Sequence, residues 1–330
     1  MWPTDKNMRT GNNRIKIMRI TGKIFDAKAF LIMSVLMCCA LSGSAQQDPM
    51  YNQYIFNAYT INAAEAGTRN FGTVSMLYRW QWVGLTGGPN TGSVGIESPV
   101  GKGWGIGFNL VDDRIGPALN QTLNLSTAYH INLNREYRLS VGLNAVGNNQ
   151  RVNVENFKYL TDIDDPVFAN NISSFNPNLG GGLLLYSKKN FFGASMPRFI
   201  EYKLTNSNLV ALDQLRHIFM YAGHIFNITN RVTFKPSVLA KIVKGAPAEF
   251  DLNAVISLHD VIGLGVNYRS GDGVGLLMGI TLLERVQFNY AYELPVTDIR
   301  YVTIQTHEVG IRYIFGDSHF EKIRSPRFFN

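Results

Sequence analysis

Cysteine is nearly absent from this 330-residue chain, which holds only the adjacent pair Cys38 and Cys39. Both fall inside a segment with the marks of a cleaved secretory leader. Beyond residue 45 the chain therefore has no disulfide, no thiolate metal site and no cysteine nucleophile. Charge is sparse too, at 17% of residues against 45% hydrophobic. Past the leader, no run reaches the ~18 apolar residues that a membrane helix needs. The histidines (His130, His217, His224, His259, His307 and His319) show no metal-ligand spacing, and no HExxH is present. No serine elbow or paired-carboxylate pattern stands out. Asp162-Ile163-Asp164-Asp165 lacks the Gly and distal Glu of a calcium loop and reads as a solvated loop. The glycines of Gly101-Lys102-Gly103-Trp104-Gly105-Ile106-Gly107 alternate within a strand pattern. A phosphate-binding loop instead needs a strand before it and a helix start after it. The residues thus name no catalytic group, no cofactor and no metal.

The leader spans residues 1–45. Arg14, Lys16, Arg19, Lys23 and Lys28 form its basic region, and Ala29 to Leu41 its apolar run. Gly43-Ser44-Ala45 places small residues for cleavage before Gln46. Met8 and Met18 are alternative starts. Met37 is too large to precede a lipidated cysteine at Cys38. Residues 1–45 carry seven Lys/Arg and two Asp/Glu, hence +5 of the chain's +7, which leaves the mature chain near +2. The basic balance is therefore no argument for nucleic acid.

What is present is a two-residue period. In Trp104-Gly105-Ile106-Gly107-Phe108-Asn109-Leu110, large apolar residues alternate with Gly, Gly and Asn. In 119–131, Leu119, Leu123, Leu125, Tyr129 and Ile131 alternate with Asn120, Thr122, Asn124, Ser126 and His130. Such a strand fits a closed membrane barrel with lipid outside and polar or packed groups inside. The period predicts strands near 71–79, 90–98, 103–111, 119–131, 137–147, 179–187, 190–197, 214–226, 231–242, 247–258, 261–269, 273–282, 285–293 and 306–315. Their lengths cluster near the ~9–11 residues of a tilted membrane strand.

Every second connection is short, as at Lys188-Lys189, His259-Asp260 and Leu283-Glu284. Most of the others are longer: 80–89, 112–118, 148–178, 198–213 and 294–305. This is the asymmetry of an outer-membrane barrel, with short periplasmic turns and longer extracellular loops. An even strand count puts both termini in the periplasm. The 148–178 stretch has room for a further hairpin around Val152-Asn153-Val154 and Phe157. Tyr78, Trp80, Trp82, Tyr129, Tyr290, Tyr292 and Tyr313 sit near strand ends, where Trp and Tyr favour the lipid–water interface. Glycines suit inward positions in a crowded lumen.

The expected plan is an all-β chain: an antiparallel transmembrane barrel over 71–315, with about 14 strands. Ahead of it, 46–70 is a periplasmic or lumenal segment. Tyr51, Tyr54, Ile55, Phe56, Tyr59 and Ile61 lack strand alternation there and need an apolar partner other than lipid. After it comes a periplasmic tail, 316–330. Lys322, Arg324, Arg327, Phe328 and Phe329 make that tail either a solvated end or a docking tag for an acidic, partly apolar surface.

The stretch Gln47-Asp48-Pro49-Met50-Tyr51-Asn52-Gln53-Tyr54-Ile55-Phe56-Asn57 resembles the start of the mature PorP/SprF family of the Bacteroidota. The likeness continues through Leu77-Tyr78-Arg79-Trp80-Gln81-Trp82-Val83-Gly84, Asn109-Leu110-Val111-Asp112-Asp113-Arg114-Ile115-Gly116-Pro117, Asn176-Pro177-Asn178-Leu179-Gly180-Gly181-Gly182 and Thr306-His307-Glu308-Val309-Gly310-Ile311. It spans essentially the whole mature chain. One departure is Asn62-Ala63-Ala64, where the family tends to have Asn-Pro-Ala.

The resemblance implies an integral outer-membrane, non-enzymatic component of type IX secretion and gliding. It would assist export or surface anchoring of a partner adhesin or other large substrate through that substrate's C-terminal domain. Implied partners are outer-membrane lipid, that domain, and periplasmic secretion components. The contact residues expected from the long loops are Trp80, Trp82, Asn90, Arg114, Phe157, Tyr159, Phe175, Phe199 and Tyr202. The alternative is a channel of FadL-like size for small hydrophobic or polar solutes. An enzymatic barrel lacks any motif.

Overall fold

The structure, a computed structural model, describes Tyr54 and residues 57–69, 71–153, 172–202, 214–303 and 305–316. In chain order the strands are β1 (Gly72–Trp80), β2 (Asn90–Gly101), β3 (Trp104–Ile115), β4 (Ala118–Asn132), β5 (Arg138–Val152), β6 (Ile172–Tyr186), β7 (Asn190–Met196), β8 (His217–His224), β9 (Phe226–Thr229), β10 (Val232–Val243), β11 (Glu249–Leu258), β12 (Ile262–Arg269), β13 (Gly273–Leu282), β14 (Val286–Pro295) and β15 (Thr306–Phe315). Each pairs antiparallel with its neighbours, and β1 pairs with both β2 and β15. The sheet is thereby closed.

β8 and β9 both lie along β10, so the fifteen segments make a fourteen-stranded wall. Pro236 accounts for the break between them. It has no N–H to donate to the ladder. Pairing with β10 stops at Ser237↔Gly223 and resumes at Phe234↔Phe226.

Alternation sets the two faces. On β13, Gly273, Gly275, Leu277, Gly279 and Thr281 are buried, while Val274, Leu276, Met278 and Leu282 are exposed. A belt of exposed Val, Leu, Ile, Phe and Met with no water to hide from is what a lipid-facing wall requires. One end of the barrel carries the tight turns and the start of β1. It is called the turn end here, and the opposite end the loop end. His259-Asp260 and Leu283-Glu284 each have two consecutive positive-φ residues at the turn end, the backbone of a two-residue hairpin turn.

Several boundaries differ from the sequence reading. β3 and β4 run on through 112–118 and are joined by Gly116-Pro117 alone. Asp112, Arg114 and Gln121 point outward there and bond one another, with Arg114 Nε to Asp112 at 2.9 Å and Gln121 Nε2 to Asp112 at 2.9 Å. Their polarity ends the apolar alternation without ending the hydrogen-bond ladder. β4, β5 and β6 each reach 15 residues. β5 ends at Val152, so the hairpin sought near it, like Asp162–Asp165, falls mostly outside the described residues.

Asn109 would tolerate an arginine only if it faced a wet lumen, and its side chain is only 3% exposed. Asn109→Arg therefore places a guanidinium into packed protein rather than water, and tolerance is not expected. Phe108→Arg, on the lipid face, is expected to destabilise by ~2–4 kcal/mol. Unfolding in urea from lipid vesicles measures both.

Candidate functional site

The lumen is filled by the chain's own N-terminal segment. Tyr54 and residues 57–69 fold there into two single 3-10 turns, Ala58–Thr60 and Ala63–Glu65. Asn62 caps the second: its Oδ1 accepts from Ala64 N at 2.9 Å. Its Nδ2 donates to Leu183 O at 3.1 Å and to the Tyr221 hydroxyl at 2.8 Å. Tyr221 in turn donates to Glu65 Oε1 at 2.7 Å. Ala63 is the first residue of that turn, a position that also suits the proline missing from Asn62-Ala63-Ala64.

Inward side chains of the wall tie down the segment's backbone carbonyls. Ser140 donates to Ala64 O at 2.7 Å, Ser195 to Ile61 O at 2.8 Å, and His130 Nε2 lies 2.9 Å from Ala66 O. Side-chain bonds add Asn57 to Ser75 at 3.1 Å, Tyr59 to Ser126 at 3.2 Å and Asn253 to the Tyr54 hydroxyl at 2.5 Å. β1, β4, β5, β6, β7, β8 and β11 all contribute. This satisfies backbone groups that would otherwise be buried without partners.

Inward glycines make the room. A Cβ at Gly142 would run into the backbone of Ala63 and Ala64, one at Gly105 into Ala66, one at Gly107 into the Tyr59 ring and one at Gly182 into Asn62. Tyr54, Ile61 and Ala64 pack with Leu184, Tyr186, Phe191, Phe219, Tyr221 and Leu239 in one apolar cluster. Of the residues without strand alternation, Tyr54, Tyr59 and Ile61 thus find their apolar partners inside the barrel, and Tyr51, Ile55 and Phe56 lie outside the described residues. Tyr221→Phe removes the hydroxyl joining Asn62 and Glu65 and is expected to cost about 1–3 kcal/mol. The same vesicle unfolding assay reads it.

Toward the loop end, ion pairs fill the lumen instead. Arg269, 1% exposed, makes a two-pronged contact with Asp251 at 2.9 and 3.0 Å. It also lies 3.5 Å from Glu249, 3.4 Å from Asp272 and 3.6 Å from Glu293. Arg79 spans Glu293 at 3.1 Å and Glu308 at 3.4 Å. Lys241 adds a contact to Glu249 at 3.7 Å. None of these residues is a site candidate in the sequence reading, although Arg79 and Glu308 stand within the family-like stretches quoted above. Among the described residues, no group of His, Cys, Asp or Glu is arranged to hold a metal.

A sequence model of the type IX secretion system membrane proteins PorP/SprF matches residues 43–313. The chain belongs to the PorP/SprF family. It is thus a type IX secretion component with an outer-membrane barrel. Among solved structures it resembles a Pseudomonas aeruginosa FadL homologue at 10% identity, with TM-score 0.50, covering 83% of this chain and 100% of that one. The Ralstonia pickettii toluene transporter TbuX shows 9% identity and TM-score 0.49, with 84% and 97% covered. These likenesses concern the fold. A search of curated proteins finds no match.

The PorP/SprF barrel places the expected contact residues in two groups. Trp80, Asn90 and Arg114 are register partners on β1, β2 and β3, so they form one outward row at the loop end. Trp80 packs on Tyr78 with ring centroids 4.4 Å apart. Trp82 follows with φ 56, a left-handed backbone that is costly for a bulky residue. Its N–H donates to Thr306 Oγ1 at 3.2 Å, Val83 N to Gln305 O at 2.8 Å, and Thr303 Oγ1 to Val83 O at 2.9 Å. The β1–β2 loop is thereby stitched to the β14–β15 loop. Val83, Tyr301 and Val302 stand exposed on that pair of loops.

Phe175, Phe199 and Tyr202 form the second group, on the outer wall near β6. Tyr202 donates to Pro177 O. Beside it Arg216 bonds Glu201 at 2.9 Å. Phe157 and Tyr159 lie outside the described residues, as does the tail beyond Gly316.

Proposed function

We propose that this barrel is a non-enzymatic accessory of type IX secretion that acts through its surfaces rather than through its lumen. It assists export or surface anchoring of a partner adhesin or other large substrate by engaging that substrate's C-terminal domain. The single observation behind this reading is the filled lumen. Residues 57–69 bonded across the turn-end half and the Arg79–Arg269 ion lattice in the loop-end half obstruct the lumen at two levels among the described residues. A barrel so obstructed works by contact. The stitched loops around Trp82, with exposed Val83, Tyr301 and Val302, supply an apolar, positionally fixed contact surface at the loop end. We place the loop end outside the cell and both termini in the periplasm, where further secretion components meet the turn end.

Deletion of the gene is expected to leave the partner adhesin inside the cell or lost from its surface. Complementation with the wild-type chain restores it. Complementation with Tyr301→Ala/Val302→Ala restores the barrel but not the adhesin, as read by surface immunolabelling. Normal surface adhesin in the deletant would overturn the reading.

A further inference from the structure

The outer wall is hollow along β5. Its outward residues are Leu143, Ala145, Gly147, Asn149 and Arg151, in that order toward the loop end. Two adjoining hollows of about 680 and 490 Å³ meet over this strand and share Leu125, Ala145 and Leu179 as lining. The larger reaches across the wall from Ile96 of β2 through Phe108 and Leu125 to Leu179 of β6, with Phe199 beside it. The smaller rises along β5 over the small residues Ala145 and Gly147, between Leu123 and Leu125 on one bank and Pro177 and Leu179 on the other, and this rising arm is the trough.

The second bank arises from the wall's irregularity. β7 stops at Met196, and the chain turns at Pro197, whose carbonyl accepts from Asn144 Nδ2 at 3.0 Å on the inner side. Residues 199 and 200 then run along the edge of β6, their N–H groups donating to Asn178 Oδ1 at 3.0 Å each. This sets the Phe199 ring outward over Gly181. An apolar hollow results, in a belt that otherwise bulges with large side chains.

The trough changes character at its loop end. Above Gly147 come Asn149 and then Arg151, whose Nε and Nη2 lie 3.2 Å from the Asn149 amide. In the same register row, across Leu119, stands Arg114. Arg114 is paired with Asp112 at 2.9 Å, so among the described residues Arg151 gives this rim an excess positive charge. The order along the wall is therefore apolar trough, amide, guanidinium. That is the order of a lipid read from chain to headgroup. A planar guanidinium is well suited to a phosphate.

We propose that the trough is a specific site for one anionic membrane lipid, its acyl chain lying along Ala145 and Gly147 and its phosphate against Arg151. The occupant is a lipid rather than a protein segment for two reasons. The hollow lies within the belt that faces hydrocarbon, and its cationic rim matches a single headgroup. Such a lipid would brace the stretch where residues 197–202 replace a regular strand.

The test is native mass spectrometry of the full-length barrel reconstituted with equal amounts of dimyristoyl phosphatidylglycerol and dimyristoyl phosphatidylcholine. One retained phosphatidylglycerol per chain is expected, favoured roughly fivefold over phosphatidylcholine. Ala145→Phe fills the floor and abolishes retention of both lipids. Leu264→Phe, on the distant outward face of β12, leaves retention unchanged. Arg151→Gln is exposed and above the belt, so it folds regardless. It is expected to retain a lipid but to equalise the two headgroups. Absence of retained lipid in the wild-type chain overturns the proposal. So does retention that survives Ala145→Phe, a headgroup preference that survives Arg151→Gln, or a co-purified protein in the lipid's place.

Discussion

Gly142→Val will drive residues 57–69 from the lumen. The added side chain collides with the backbone of Ala63 and Ala64, where no rotamer change gives relief. The wall cannot retreat, because β5 is held by continuous 15-residue ladders to both β4 and β6. The segment has no such ladder; it hangs from side-chain bonds and two isolated turns. Overpacking of this kind costs roughly 1–3 kcal/mol where neighbours yield, and more where backbone meets backbone. The least costly response is release of the segment. Tyr54, 2% exposed, reports on it. A Tyr54→Cys chain, with no other cysteine beyond residue 45, should resist a soluble maleimide. Adding Gly142→Val should raise the labelling rate by about tenfold or more, since each 1.4 kcal/mol of destabilisation is tenfold in the open population. Gly92→Ala is the control, because its Cβ meets only the Tyr78 ring, at 3.4 Å. Slow labelling in the Gly142→Val chain would mean that the segment is not seated against β5.

Arg269→Met is expected to destabilise the barrel by about 3–5 kcal/mol, the usual cost of stripping one partner from buried charges. Asp251, 0% exposed, would lose its two-pronged partner, while Glu293, 2% exposed, would keep only Arg79 at 3.1 Å. Arg114→Met breaks an ion pair of equal length, 2.9 Å, but Arg114 is 67% exposed. Its expected cost is ~0–1 kcal/mol. Urea unfolding of the two variants in vesicles gives a direct comparison. Adding Asp251→Asn to Arg269→Met removes the orphaned charge and should recover much of the loss. Equal costs for Arg269→Met and Arg114→Met would mean that water reaches the loop-end lattice.

The barrel was readable in the sequence because its wall follows one rule. Outward residues answer to lipid, so Ile262, Leu264, Val266 and Tyr268 alternate with Gly263, Gly265 and Asn267 whatever the lumen holds. The strand ends were less readable where polarity and backbone pairing part company. At 112–118 the outward residues turn polar while the ladder continues, and the end of the apolar period was taken for the end of the strand. Pro197 marks a real change of course for β7, whereas Pro236 interrupts the pairing of only one neighbouring strand. The inward pattern was the least readable. A glycine facing a packed lumen looks the same in sequence whether it faces Ala64, a ring or nothing. The ion lattice of Arg79, Lys241, Asp251, Arg269, Glu293 and Glu308 exists only once the closed register brings β1, β10, β11, β12, β14 and β15 to one level. The aromatic residues of 54–61 showed that a partner was needed. The hydroxyls and carbonyls that hold them could not be read from the chain.

The most direct test of a barrel that works by contact is its conductance in a planar lipid bilayer. The wild-type chain should insert without producing resolvable current steps. Removal of residues 46–69 combined with Arg79→Ala and Arg269→Ala, which clears both the turn-end segment and the loop-end lattice, should produce steps. Stable open-channel steps of that size from the wild-type chain would contradict the account.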